Sequence, residues 1–228
     1  MSTPRRPRLI VASGSPRRSQ LLAEAGFKFE VVRPKVAETS SPALTLREAT
    51  VWNSLRKGLA VARANPDAVV LAADTLVGLG HQVIGKPANH ADARRILRLL
   101  SGRTHHVSSG VFIAHLSSGK SETFCVTSRV TFKKLSDNTI ETYLSRVDPL
   151  DKAGAYAAQG FGGTIIGRLS GSRSNVIGLP MEKTCVALAR FGVQGSPPNE
   201  SRRLRVAWRS PELLHPFHVA GSDKQTRR

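Results

Sequence analysis

Cysteine is nearly missing from this chain. Cys125 and Cys185 are the only two in 228 residues, and no Cys-x-x-Cys or Cys/His spacing surrounds them. That excludes a disulfide framework and a zinc knuckle, and both read as reduced packing residues. Aromatic side chains make up 5% of the sequence and do not interleave with basic ones, which argues against a platform that stacks nucleic-acid bases. Long apolar runs are lacking too. No window approaches the about 18 apolar residues of a membrane span. The basic start, residues 1–8, precedes no apolar stretch of the roughly 7–15 residues a signal peptide needs. The expectation is a cytoplasmic protein with no membrane partner. Neither a G-x-x-x-x-G-K-[ST] loop nor a nucleophile elbow occurs, so the common γ-phosphate-cleaving and Ser-His-Asp arrangements have no support.

Acids are also scarce: 16 Asp and Glu stand against 34 Lys and Arg, a formal charge of +18. Such an excess suits a nucleic acid, and it suits a small polyanion equally well. Its distribution tempers the nucleic-acid reading and agrees with either partner. Residues 1–8 carry three basic side chains and no acid, residues 195–228 carry seven against three, and the body between keeps about +11. With 40% hydrophobic and 22% charged residues, the chain has the composition of a soluble globular protein and the length for a proper core. The expected organisation is a basic extension (1–8), one folded domain (9–194) and a basic, largely disordered tail (195–228) without apolar periodicity.

The chain is organised around Ser13-Gly14-Ser15-Pro16-Arg17-Arg18. Leu9-Ile10-Val11-Ala12 before it reads as a buried strand, and the apolar spacing after it reads as a helix. Ser15 suits the N-cap, Pro16 the first helical position, and Gly26 the left-handed exit. Hydroxyls, a glycine and two guanidinium groups therefore surround unpaired helix N–H groups, a setting able to hold phosphate oxygens. An ordinary capped helix with solvated arginines reads equally well on local grounds. Phe27 to Val32 predicts an edge strand, followed by a loop bearing Glu38, a solvated acid on its own merits. Residues 45–64 predict a helix with Thr45 and Glu48 as a capping box and Lys57 on its later half.

Ala68-Val69-Val70-Leu71-Ala72-Ala73 predicts a central strand with Asp74-Thr75 at its C-terminal end. Ligands bind at that edge in open α/β sheets, although an Asp there can also simply cap a turn. A hairpin with glycine at its tip then delivers Gly85-Lys86-Pro87. A helix from Asn89 to Leu100, strands from His105 to Leu116 and Glu122 to Phe132, and a helix capped by Ser136 follow. Residues 148–160 form a polar glycine- and alanine-rich loop containing Lys152 and Gln159, the sort of loop that carries binding residues. A strand over Thr164 to Leu169 and a final helix from Met181 to Phe191 complete the body.

Together these give two carboxylates (Glu38, Asp74), four cations (Arg17, Arg18, Lys57, Lys86) and the hydroxyls of Ser13 and Ser15. Cations can neutralise phosphoryl oxygens, and carboxylates can hold a divalent metal or orient a water. Oxygen ligands suit Mg²⁺ or Mn²⁺. The residues alone reach a phosphate-handling α/β protein.

Over about residues 8–193 the chain resembles the Maf family of nucleotide pyrophosphatases. The matching segments are Ala12-Ser13-Gly14-Ser15-Pro16-Arg17-Arg18, Glu38, Lys57, Ala73-Asp74-Thr75, Gly85-Lys86-Pro87, Leu100-Ser101-Gly102 with His105, Asp151-Lys152-Ala153-Gly154-Ala155-Tyr156 with Gln159-Gly160, and Gly178-Leu179-Pro180. The resemblance implies a fold related to inosine triphosphate pyrophosphatases, with a mixed twisted central sheet flanked by helices and a cleft between two lobes. It also implies a homodimer and divalent-cation-dependent hydrolysis of the α–β bond of a nucleoside triphosphate substrate. Ser-Pro-Arg-Arg at 15–18 and the 151–156 segment look like the dTTP/UTP-cleaving branch. The alternatives are the 7-methyl-GTP branch and a non-catalytic basic nucleic-acid-binding protein.

The roles implied are Asp74 as base or water orienter, Glu38 with Asp74 as metal ligands, and Lys57 and Lys86 against phosphate charge. Ser13, Ser15 and Arg18 would grip the phosphates, and Arg17, Lys152 and Gln159 would face base and sugar. A house-cleaning role follows, and relatives are linked to arrest of cell division. The chain departs from the family pattern at Gly58 (usually alanine), Ala157-Ala158 (commonly Gly-Ile), Ser109 (usually threonine) and the variable turn Arg173-Ser174. None of these removes a charged site residue.

Overall fold

The computed structural model describes residues 7–38, 41 and 43–196. Most of the basic extension and of the tail expected at 195–228 lies outside the described residues. Gly195 and Ser196, at the head of that tail, pack on the body: the Ser196 amide donates to Gly26 O at 3.0 Å.

Strand β1 (Leu9–Val11) is followed by α1 (Pro16–Glu24), β2 (Glu30–Val31), α2 (Leu46–Ala64), β3 (Val69–Leu79), β4 (Gln82–Ile84) and α3 (His90–Leu100). Then come β5 (Thr104–His115), β6 (Lys120–Phe132), α4 (Asp137–Leu144), α5 (Gly162–Ile165), β7 (Ile166–Ser170), α6 (Arg173–Ile177) and α7 (Met181–Arg190). One seven-stranded sheet runs β2-β1-β3-β5-β6-β7, with β4 added to β3. β1 is parallel to β2 and β3, and the remaining pairings are antiparallel. The mixed sheet flanked by helices is the α/β architecture expected.

Three differences from the sequence reading have physical causes. The edge strand expected over 27–32 shrinks to Glu30–Val31, because three-residue β1 offers it only two paired positions. The strand expected from Thr164 begins at Ile166, after a short helix. Most important, β3 does not stop at Ala73. It continues to Leu79, so Asp74 lies in mid-strand, opposite Gly110 of β5. A polar pair in an apolar run reads locally as a strand end, but here the ladder with β5 carries the strand through it.

The long β3 has two neighbours on one edge. β1 pairs with it as far as Leu71, and β4 takes over at Val77. Residues 72–76 between them are left unpaired on that edge, and the opening there is where the cleft forms. Alternation sends Val69, Leu71 and Ala73 into the core beneath α1 and α7, with Leu21, Leu22, Ile177 and Leu188. Val70 and Ala72 face α2 with Val61 and Ala62. A third cluster around Val77, Leu97, Val107, Phe132, Ile140 and Tyr156 packs α3 and α4 onto the far end of the strands.

α2 starts as expected, with Thr45 and Glu48 in a reciprocal capping box. Its buried face is Ala49, Thr50, Asn53, Ser54, Lys57, Gly58, Val61 and Ala62, small or polar groups that let it lie close on the sheet. At Gly110 a Cβ would come within 2.4 Å of the Thr50 carbonyl group, and at Gly58 within 2.2 Å of the Phe112 ring. Phe112 thus accounts for glycine at 58: its ring fills the space an alanine methyl would take.

Candidate active site

The cleft of about 860 Å³ is lined by the segments singled out above: 13–18, Glu38, Lys57, Asp74, Lys86, Asp151, Lys152 and Gln159 all border it. β1 delivers the first of these. β1 ends at Val11 and α1 starts at Pro16, so that Ser13 to Arg18 all border the cleft. Ser15 holds the N-cap position, yet its side chain makes no capping bond. Ser13 Oγ instead accepts from the Ser15 amide at 3.2 Å and from Arg18 Nη1 at 2.9 Å.

Asp74 and Thr75 are consecutive on β3, so they point to opposite faces of the sheet. Thr75, on the α1 side, accepts from Arg18 Nη2 at 3.2 Å and lies 2.8 Å from Ser109 Oγ, its cross-strand partner. Arg18 Nε donates to Gly178 O at 2.9 Å. Burial pushes the Arg18 pKa below the ordinary guanidinium value, while Asp74 pulls it back up. The arginine is held by hydroxyls and a carbonyl, so its charge remains available to a ligand.

Asp74, on the α2 side, is 3% exposed. Its Oδ1 accepts from Lys57 Nζ at 2.6 Å and its Oδ2 from Asn53 Nδ2 at 3.1 Å. The same Lys57 ammonium donates to Glu38 Oε1 at 2.7 Å. Lys86 Nζ stands 3.8 Å from that oxygen. Burial works to raise the Glu38 pKa, but Lys57, with Lys86 and Arg18 behind it, holds it below the usual glutamate value. The two carboxylates therefore share one cation at the α2 wall of the cleft.

Among the described residues no group of three or more His, Cys, Asp and Glu is placed to hold a metal. Two carboxylates nevertheless fit a hard divalent cation, because Mg²⁺ takes one or two of them and completes its shell with water and phosphate oxygens. A soft or tightly caged metal would not fit this donor set.

At the opposite wall Arg17 Nη1 donates to Asp151 Oδ2 at 2.8 Å, and Lys152 Nζ donates to the Asp148 carbonyl at 2.6 Å and also to Asp151. Burial works to raise the Asp151 pKa, but Lys152 and Arg17 hold it below the usual aspartate value. Gln159 borders the cleft, as do the apolar Val77 and Val107 and the loop residues Tyr156 and Ala157. The 151–160 loop is fixed from behind, where Tyr156 Oη lies 2.8 Å from His105 Nε2 and Tyr143 Oη accepts from the Ala157 amide at 2.9 Å.

All ten candidate residues thus border one cleft. Glu38, Lys57, Asp74 and Lys86 form one charged group, and Arg17 and Lys152 meet at Asp151. Ser13 and Arg18 bond each other beside Ser15, and Gln159 completes the set. Three residues that build the site were not selected. Thr75 aims Arg18, Asp151 joins Arg17 to Lys152, and Asn53 meets Asp74. For Asn53 a signal existed: it stands four residues before Lys57, on the same helix face. No helix of the described residues is long and apolar enough to cross a membrane.

The family model described as Maf-like protein matches residues 8–191. A dTTP/UTP pyrophosphatase of Bacillus cereus (strain ATCC 10987) is 40% identical over 186 residues, 82% of this chain and 91% of its own length. One from Bdellovibrio bacteriovorus is 42% identical over 191 residues, 82% of this chain and 100% of its own. Among solved structures, the Ham1 protein of Staphylococcus aureus aligns over 81% of this chain and 98% of its own, at 17% identity and a TM-score of 0.45.

Proposed function

The chain belongs to the Maf family, and from that premise we propose that it is a nucleoside triphosphate pyrophosphatase that hydrolyses the α–β bond of dTTP and UTP. The observation that carries the reading is Lys57, whose ammonium ties Asp74 to Glu38 across the cleft from Arg18. It is supported by the dTTP/UTP pyrophosphatases that share 40–42% of their aligned residues with this chain.

In this reading the triphosphate lies between the α1 N-terminus and the α2 wall. The 13–18 turn and Arg18 take phosphate oxygens on amides, hydroxyl and guanidinium. Lys57 and Lys86 offset the charge that accumulates on the phosphates. Asp74 orients a water and accepts its proton as the oxygen attacks phosphorus at the α–β bridge. The bridging P–O bond breaks, and its electron pair leaves with pyrophosphate. Glu38 and Asp74 would hold Mg²⁺ or Mn²⁺, which when bound supplies further charge neutralisation. Gln159, with both donor and acceptor, would read the pyrimidine edge beside Tyr156, and Arg17 and Lys152 would face base and sugar. Assembly as a homodimer belongs to the same proposal and is read by light scattering.

The test is a panel of UTP, dTTP, CTP, GTP and 7-methyl-GTP with Mg²⁺ or Mn²⁺, scored separately for pyrophosphate and orthophosphate. Pyrophosphate from UTP and dTTP is the expected result. Orthophosphate alone, or no turnover of any nucleotide, would overturn it. A preference for 7-methyl-GTP would place the chain in the other branch.

A further inference from the structure

Asn53 lies in the buried face of α2, 2% exposed, where its neighbours at the same spacing are Ala49, Lys57 and Val61. An apolar side chain would fill such a position at no polar cost, whereas a buried carboxamide is unfavourable unless its groups are bonded. Its Nδ2 donates to Asp74 Oδ2 at 3.1 Å, while Lys57, one turn on, donates to Oδ1 at 2.6 Å. One helix face thus supplies a donor to each oxygen of the same carboxylate. The second donor matters because the terminal torsion of aspartate is broad and roughly two-fold. With Lys57 alone the carboxylate could swing about that single contact. With both, its plane is set by a helix that is itself fixed on the sheet at Gly110 and Gly58.

We propose that Asn53 is a positioning residue for Asp74, holding the plane of that carboxylate for the attack on the nucleotide. The inference rests on the catalytic reading of Asp74 given above. Asn53 acts on the reaction through its bond to Asp74, so its loss is expected to lower kcat while nucleotide binding stays in place. Outer partners that orient a reacting carboxylate typically change activity by about 10–100-fold when removed.

Two variants test it in the full-length protein with UTP and Mg²⁺. Asn53→Leu removes the donor and keeps the branched shape with added bulk, and Asn53→Asp keeps the shape and size but sets a second carboxylate against Asp74. Steady-state kinetics are read beside the Kd for α,β-methylene-UTP and the melting temperature. The expected result is a kcat lower by about 10–100-fold in Asn53→Leu, a larger loss in Asn53→Asp, and KM and Kd within about twofold of the parent in both. A kcat within twofold of the parent in Asn53→Leu overturns the proposal. So does a loss of kcat matched by an equal rise in Kd and a fall in melting temperature, the pattern of a merely structural residue. Should Asn53→Leu fail to fold, the isosteric Asn53→Asp decides, since unchanged kcat there is incompatible with the proposed role. Asp74→Asn, measured alongside, separates the two levels. Turnover surviving in Asp74→Asn defeats the reading of the site, whereas an inactive Asp74→Asn beside an unimpaired Asn53→Leu defeats this inference alone.

Discussion

Arg18 and Gly178 are 160 residues apart in the chain and joined by a 2.9 Å hydrogen bond from the guanidinium to the carbonyl. The backbone at Gly178 has φ of +136°, a conformation that side-chain-bearing residues rarely adopt. Together with Ser13 and Thr75 it forms a cradle of neutral acceptors that fixes the arginine without neutralising it. Arg18→Lys keeps the charge but loses the fork that reaches three acceptors at once. KM for UTP is expected to rise by roughly tenfold or more, since hydrogen bonds to charged groups are worth about 1.5–3 kcal/mol each. An unchanged KM in steady-state assays would mean that Arg18 does not touch the phosphates.

Among the described residues Lys57 is the only cation bonded to Asp74, and both side chains are almost fully buried. Removing one partner of such a pair leaves an uncompensated charge, at a cost of about 3–5 kcal/mol. Lys57→Met should therefore unfold at distinctly lower urea concentration than the parent. Lys57→Met/Asp74→Asn should recover part of that loss, because the stranded charge is gone. Additive effects in this double-mutant cycle would show that the pair carries no coupling.

The parts of the fold with strong local chemistry were legible in the sequence. The Thr45/Glu48 box, the Asn89 cap and the glycine turns place α2, α3 and the hairpins, and the ten candidate site residues all border one cleft. Less legible was whatever depends on a partner strand. Polarity along the chain marks Asp74 as a strand terminus, while its position is set by the ladder to Gly110. α2 hides its inward face in the same way. Every fourth residue is buried, but Asn53, Lys57, Thr50 and Ser54 carry polar groups, so apolar spacing gives no warning. Asn53 went unselected for that reason: its partner is supplied by the sheet.

His105 makes stability depend on pH in a definite direction. The ring is buried between Phe132 and Tyr156, and burial lowers its pKa from 6.5 to about 4. Because the folded value is depressed, the unfolded chain takes up the proton first. The contribution is complete above about pH 6.5 and is lost as pH falls from there towards about 4. The span corresponds to roughly 3 kcal/mol. Urea titrations of the parent and of His105→Gln across this window should show the variant with the flatter profile. Parallel profiles would remove the histidine as the cause. Tyr156, whose pKa burial raises, stays a neutral partner throughout.

Gly110 offers the sharpest test of how the fold makes the site, because it has no side chain to take part in the reaction. It pairs with Asp74 across the ladder and faces α2, and a methyl there would sit 2.4 Å from the Thr50 carbonyl carbon and oxygen. Backbone cannot step aside as a side-chain tip can, so Gly110→Ala must lift α2 from the sheet. Asn53 and Lys57 ride on that helix, and their bonds to Asp74 lengthen with it. Turnover should fall by about tenfold or more, and stability by about 1–3 kcal/mol as in other overpacked cores. Gly58→Ala is the matched control on the same helix. There a Cβ meets the Phe112 ring at 2.2 Å, and a ring can be trimmed. Gly58→Ala/Phe112→Leu should regain both stability and activity, while Gly110→Ala should gain nothing from Phe112→Leu. If Gly110→Ala turns over UTP like the parent, the close approach of α2 to β5 is not what positions Asp74.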